Sequence, residues 1–129
     1  MCLTVNKEKF KIEIAQEDIV VYKVLEKHEK DVISPYQNFV YEIGKEYKTI
    51  MKMRSFCSLY TIHEGFHSLL NKEDAEDEKM DIQRSMIADT GWDFCCFQCI
   101  IPKGSNIVYG KYGAKDAIVS EAIKIIEEL

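Results

Sequence analysis

The stretch Phe94-Cys-Cys-Phe-Gln-Cys-Ile-Ile-Pro-Lys-Gly-Ser-Asn-Ile-Val-Tyr-Gly110 constrains the fold more than any other part of the chain. It is the densest apolar run, and it carries its own turn. Residues 94–101 read as a strand, aromatic and apolar, bounded by Pro-Lys-Gly-Ser. Pro102 has no N–H to give to a sheet ladder, and Gly104 supplies the backbone freedom for a reversal. Residues 106–109 then return as a second strand, so a hairpin over 94–109 is expected at the centre of the fold. Strand alternation places Cys95, Phe97, Cys99 and Ile101 on one face and Phe94, Cys96, Gln98 and Ile100 on the other. The C-x-x-C formed by Cys96 and Cys99 therefore points to two sides, and no second pair completes a zinc site. These thiols are expected to pack as small hydrophobes.

At 129 residues the chain suits a single domain, 1–129, with 1–16 as a peripheral arm. The formal charge is −5, with acidic residues gathered in 72–81. No basic stripe suggests affinity for nucleic acid. Five cysteines, an odd count, occur without a secretion signal, which predicts free thiols and a cytoplasmic location. No apolar run is long enough to cross a membrane as a helix.

Along the chain, residues 7–15 alternate charged and apolar, as in a half-exposed edge strand or an arm. Asp18-Ile-Val-Val-Tyr-Lys-Val-Leu25 reads as a buried strand with Lys23 its one polar interruption. A turn is expected at Ser34-Pro35, and a short strand after Gly44. Residues 51–70 are ambiguous between helix and strand. Asn71 or Ser68 can cap a helix over 71–88, whose first turn is acidic and whose core face carries Ala75, Lys79, Ile82 and Met86. Asp89-Thr90-Gly91 should end it, and Trp92 reads as a core-rim aromatic. Tyr109 to Gly113 reads as a flexible aromatic loop. A strand near 120–126 is expected in preference to a terminal helix.

His63-Glu-Gly-Phe-His67 matches H-E-x-x-H, in which two histidines one helical turn apart bind zinc and the glutamate polarises a water. Leu59, Ile62, Phe66 and Leu69 have helical spacing, whereas Gly65 between the ligands weakens a helix. A metal hydrolase would use His63 and His67 as ligands and Glu64 as the base. The plainer reading has both imidazoles as satisfied polar groups near a turn.

Three segments carry a resemblance: Tyr22-Lys23-Val24, Gly65-Phe-His-Ser-Leu-Leu-Asn-Lys-Glu-Asp-Ala75, and Cys99-Ile-Ile-Pro-Lys-Gly-Ser105 with Tyr109-Gly110. Over residues 18–126 they resemble a family of short, uncharacterised proteins from gut bacteria and their phages. That likeness implies a phage or mobile-element setting and transfers no activity. More distantly, the chain is similar to the ADP-ribosyltransferase-like fold. There an aromatic-plus-basic pair lies on the first core strand, a Gly-Phe-aromatic-x-Ser stretch leads into a helix, and a Glu follows on a late strand. The similarity implies NAD as cofactor, Glu121 as the catalytic carboxylate, and Tyr22, Lys23, His67 and Ser68 as ligand-binding residues. Lys23 stands where Arg or His is usual, and His67 replaces an aromatic residue. The plain alternatives are a Lys23 that snorkels at a strand edge, a Ser68 that caps the next helix and a solvated Glu121.

These readings give a single α+β domain with a mostly antiparallel sheet and one main helix, its ADP-ribosyltransferase-like form implied by the resemblance. The expected role is a small cytosolic accessory or interaction protein with a protein partner, no cofactor and no catalysis of its own. An NAD-binding or ADP-ribosyl-transferring enzyme is the first alternative, and a zinc hydrolase the second.

Overall fold

A computed structural model describes residues 3–28, 31–33, 39–85 and 93–129. Thirteen strands form one sheet: β1 (Leu3–Asn6), β2 (Glu13–Ile14), β3 (Ile19–His28), β4 (Asp31–Ile33), β5 (Val40–Tyr41), β6 (Glu46–Lys48), β7 (Lys52–Phe56), β8 (Leu59–Glu64), β9 (Phe66–Leu69), β10 (Asp93–Ile101), β11 (Asn106–Tyr112), β12 (Lys115–Ser120) and β13 (Ala122–Glu128). Among the described residues one helix, α1 (Lys72–Ser85), lies between β9 and β10. The main path runs β6-β13-β10-β3-β9-β12-β11-β1-β8-β7, with β2 beside β11 and β4 and β5 branching from β3. Each pairing is antiparallel.

The α+β expectation, with its ADP-ribosyltransferase-like form, is corrected by this architecture. The sheet curls into a half-barrel and carries a single helix of 14 residues among the described ones. The misreading has a physical source in residues 51–70. Leu59 and Ile62 both lie in β8, and Phe66 and Leu69 both in β9, so each helical spacing of three is a pair of apolar residues on opposite faces of one strand. Gly65 has φ +131°, and a Cβ there would overlap the Val119 side chain. β7 and β8 instead form a hairpin through a two-residue turn with Cys57 at φ +52°. The expected loop from Tyr109 to Gly113 is strand as far as Tyr112, followed by a tight turn into β12.

The central hairpin is also corrected. Both strands and the turn exist: Ser105 N donates to Pro102 O at 3.2 Å, with Gly104 at φ +88°. However, β10 pairs with β3 and β13, while β11 pairs with β12, β1 and β2. The turn is a corner at which the chain passes from one part of the curled sheet to another. Glu121, the single residue between β12 and β13, makes the matching corner beside it, its N–H donating to Asn106 O at 3.1 Å.

A single residue likewise joins β8 to β9, and this closes a circuit of hydrogen-bonded neighbours: β9, β12, β11, β1 and back to β8. Leu3, Ile62, Val108 and Val119 fill it, all fully buried. Gly110 lets β1 approach, since a Cβ there would overlap Leu3 and lie 2.8 Å from Thr4 O.

The sheet has two apolar faces. One carries Val21, Leu25, Phe97, Cys99, Ile118, Ile123 and Ile125 under a roof formed by Val32, Tyr41 and Phe66. The other carries Val24, Leu69, Phe94 and Cys96 under α1, which contributes Ala75 and Ile82. The expected alternation of β10 is thus observed, with Cys99 on the first face and Cys96 on the second. Asn71 sits just before α1, its carbonyl accepting from Ala75 N at 3.2 Å and its amide donating to Asp74 Oδ2 at 3.3 Å. Glu73 and Asp74 suit the first turn and Arg84 the last. Ser34-Pro35, Met86, the expected helix stop at 89–91 and Trp92 lie outside the described residues. No helix among the described residues is long and apolar enough to cross a membrane.

Candidate functional site

β3 alternates across the sheet, so Val21, Lys23 and Leu25 face the aromatic roof while Tyr22 and Val24 face the helix side. Tyr22 and Lys23, expected to act as a pair, point in opposite directions. Lys23 lies opposite Phe97 on β10. On its other side β3 meets β9 with Tyr22 against Leu69, and one further step along an antiparallel register brings Lys23 against Ser68. Ser68 in turn faces Ile118. Phe97, Lys23, Ser68 and Ile118 therefore form one row across four strands, inside the roofed face.

Lys23 is only 8% exposed, and its Nζ donates to His67 O. The ammonium also lies 6.0 Å from the centre of the Tyr41 ring, a cation–π distance. Burial pulls the Lys23 pKa down to about 8, opposed by its attraction to a Cys99 thiolate. Burial pushes the Cys99 thiol up to about 12 and raises the Tyr41 phenol as well. Cys99 is therefore an inert thiol. Ser68 is fully buried, and its Oγ finds no hydrogen-bond partner. The roof above is aromatic: Tyr41 meets Phe39 at 4.8 Å and Phe66 at 6.2 Å with tilted rings, and Tyr47 edge-on at 5.3 Å between ring centres. A cleft of about 410 Å³ opens outside this roof, lined by Phe39, Thr49, His63, Glu64, Gly65 and Phe66; Lys23 and Ser68 do not reach it.

His67 turns to the other face of β9, with Leu69. Its ring bridges two carbonyls, Nδ1 to Gly65 O at 3.1 Å and Nε2 to Ile62 O at 2.9 Å. A neutral imidazole has one N–H and can donate to only one of them. Burial nonetheless pulls its pKa down to about 4, outweighing the pull of the two carbonyls towards the charged form. His63 and Glu64 stand on β8 and His67 on β9, so the H-E-x-x-H residues are not one turn apart on a helix. No group of three metal-ligating side chains occurs among the described residues.

Glu121 lies three residues beyond Ile118, about 10 Å further along the chain than the Lys23–Ser68 row. Its Oε2 accepts from Met51 N at 2.8 Å, its Oε1 from Asn106 Nδ2 at 2.7 Å, and its main-chain carbonyl from Thr49 N at 2.9 Å. Glu121 thus fastens three segments at the corner of the sheet. The cleft beside it, about 350 Å³, is lined by Glu46, Lys48, Lys103, Asn106 and neighbouring residues. The residues expected to form one transferase site are distributed over two faces and a corner. Lys23 and Ser68 share a row, and His67 meets Lys23 only through its main-chain carbonyl.

Sequence reasoning missed the partners that define these positions: Tyr41 and the His67 carbonyl for Lys23, and Met51 and Asn106 for Glu121. Lys23 did signal itself, as the one charge inside an apolar strand. The sequence also missed a surface groove of about 640 Å³ beside β2, lined by 11–17 with Ile19, Ile107 and Tyr109, in which Ile14 is 59% exposed. The residue pattern offers a hint there, because Ile12 and Ile14 alternate with charges on a segment too short to bury them. No protein-family model, curated protein or solved structure matches the chain.

Proposed function

We propose that the chain is a small cytosolic accessory protein that acts by binding another molecule, without catalysis of its own. One observation carries this reading: an apolar groove beside β2 stands open to solvent, with Ile12, Ile14 and Tyr109 exposed along it. Contiguous exposed apolar surface rimmed by charge is characteristic of interaction sites. The candidate catalytic groups support it from the other direction, because Glu121, His67 and Lys23 all bond to the chain's own backbone or to Asn106. The free thiols Cys57, Cys96 and Cys99 suit a reducing compartment.

Two measurements test the reading. A photo-crosslinking residue at position 14 should capture a discrete partner in cells, and the same residue at Glu76, on the exposed side of α1, should not. In parallel, the unfolding midpoint of the purified chain should be unmoved by NAD at about a hundred times a micromolar dissociation constant, where a specific ligand would add about 2.7 kcal/mol. An NAD-dependent rise that Lys23→Met abolishes would overturn the proposal and restore the nucleotide alternative.

A further inference from the structure

The main path of the sheet ends at β6, which is joined to β13 on one side. Among the described residues no strand pairs with its other side. The phase of the ladder shows which backbone groups are left there. Tyr47 lies opposite Ile123, and Thr49 N donates to Glu121 O at 2.9 Å. In an antiparallel pair, alternate residues direct both N–H and C=O at the same neighbour. Residues 47 and 49 therefore address β13, and Glu46 and Lys48 turn their backbone N–H and C=O outward. Both side chains are exposed as well, held only by a 3.8 Å contact with each other at the surface.

We propose that β6 pairs with β6 of a second copy of this chain, about a two-fold axis through Tyr47, so that the sheet continues across the interface. This goes beyond the binding reading above, which concerns the groove beside β2 and not this edge. A strand paired antiparallel with itself about residue 47 sets residue 46 against residue 48 of the other copy, twice. Here those residues are Glu and Lys, so each cross-strand pair joins opposite charges, which stabilises a sheet where like charges oppose it. The same two positions are the ones whose backbone groups point outward, and they close four main-chain hydrogen bonds. Tyr47 falls at the non-hydrogen-bonded centre, as its bonds to β13 require.

Other registers fail. Centring the axis on Glu46 or on Lys48 sets a charge against itself. At the opposite end of the sheet, an axis through the middle residue of β7 opposes Arg54 to Arg54. The flanks of β6 agree with the proposal. Ile43 and Ile50 are 54% and 72% exposed at either end of the strand, and the axis sets Ile50 against Gly44 of the second copy, next to Ile43. Such an interface is isologous and closes after two copies. Its strand is short, so it belongs among the small, weak interfaces.

Sedimentation equilibrium of the full chain from about 10 µM to about 1 mM tests the proposal. Dimer should accumulate towards the upper end. Glu46→Lys alone and Lys48→Glu alone should each weaken dimerisation by about tenfold or more, because each sets like charges against one another. An equimolar mixture of the two variants should restore a 1:1 dimer, since a copy with two positive charges then faces a copy with two negative ones. Restoration also shows that neither variant is misfolded. A wild-type chain that stays monomeric throughout, single variants that dimerise unchanged, or a mixture that stays monomeric would each overturn it. A monomeric wild type would leave the binding reading standing, because that reading is tested by crosslinking at position 14.

Discussion

Burial lowers Lys23 from 10.5 to about 8 on the roofed face of the sheet, and His67 from 6.5 to about 4 on the helix side. The two displacements are alike in size and cause, and the residues lie on neighbouring strands, with Lys23 bonded to the His67 carbonyl. Their consequences at neutral pH differ. His67 is neutral there and bears no penalty, whereas Lys23 still carries its charge into an apolar chamber. A desolvated base costs stability only where the solution pH keeps it protonated. One face of this sheet is therefore relaxed under ordinary conditions, and the other is held under strain by packing.

The strongest way to break the comparison is to remove that packing. Phe97 is fully buried beside Lys23, and Phe97→Ala should lower stability by about 3–5 kcal/mol in urea denaturation. A loss under about 1 kcal/mol would mean that the roofed face is not a packed wall. The next effect belongs to His67. Its folded-state pKa is depressed, so the unfolded chain takes up the proton first and stability is lost as pH falls from 6.5 through 4. The loss attributable to His67 between about pH 7 and about pH 4 should approach 3 kcal/mol, read as the difference between wild type and His67→Gln. Identical pH profiles for the two would remove His67 from the comparison.

Lys23→Met should raise stability at neutral pH by about 2 kcal/mol, because an apolar side chain of similar length replaces a buried charge. Destabilisation instead would show that the His67 carbonyl and the Tyr41 ring more than compensate the ammonium. The smallest effect is on the alkaline side. The folded chain releases the Lys23 proton before the unfolded chain does, so between about pH 7 and about pH 9 the wild type should gain about 1 kcal/mol relative to Lys23→Met. The raised Cys99 thiol acts in the opposite sense in both proteins from about pH 8 upward, since the unfolded chain loses that proton around 9.0 and the folded chain only near 12.

Local readings survived where a single strand or helix sets the pattern. The alternation of β10 and the preference for a strand near 120–126, found as Ala122–Glu128, follow from side chains that sample two faces. The helix after Asn71 was legible from its cap and its acidic first turn. Pairing was not legible, because β10 and β11 are joined by a turn yet bond to different neighbours, and nothing local records that. Residues 52–64 hid their strands, since a half-exposed hairpin at the sheet edge has few apolar residues to display a period of 2. Glu121 shows the same limit at the candidate site. Its chain order suggested chemistry, whereas its two oxygens meet Met51 and Asn106, residues 70 and 15 positions away.

The seat of β1 has a consequence for the making of this protein. Leu3 pairs with Ile62 and Thr4 with Lys111, and the circuit around them closes only when β12 joins β9. A ribosome must therefore add about 105 residues beyond Asn6 before residues 3–6 find both of their neighbours, at a synthesis rate of roughly 5–20 residues per second. For those seconds Leu3 and Val5 wait with at least one edge of their strand open. Slow translation should lower the soluble yield, and a chaperone that shields nascent segments should raise it.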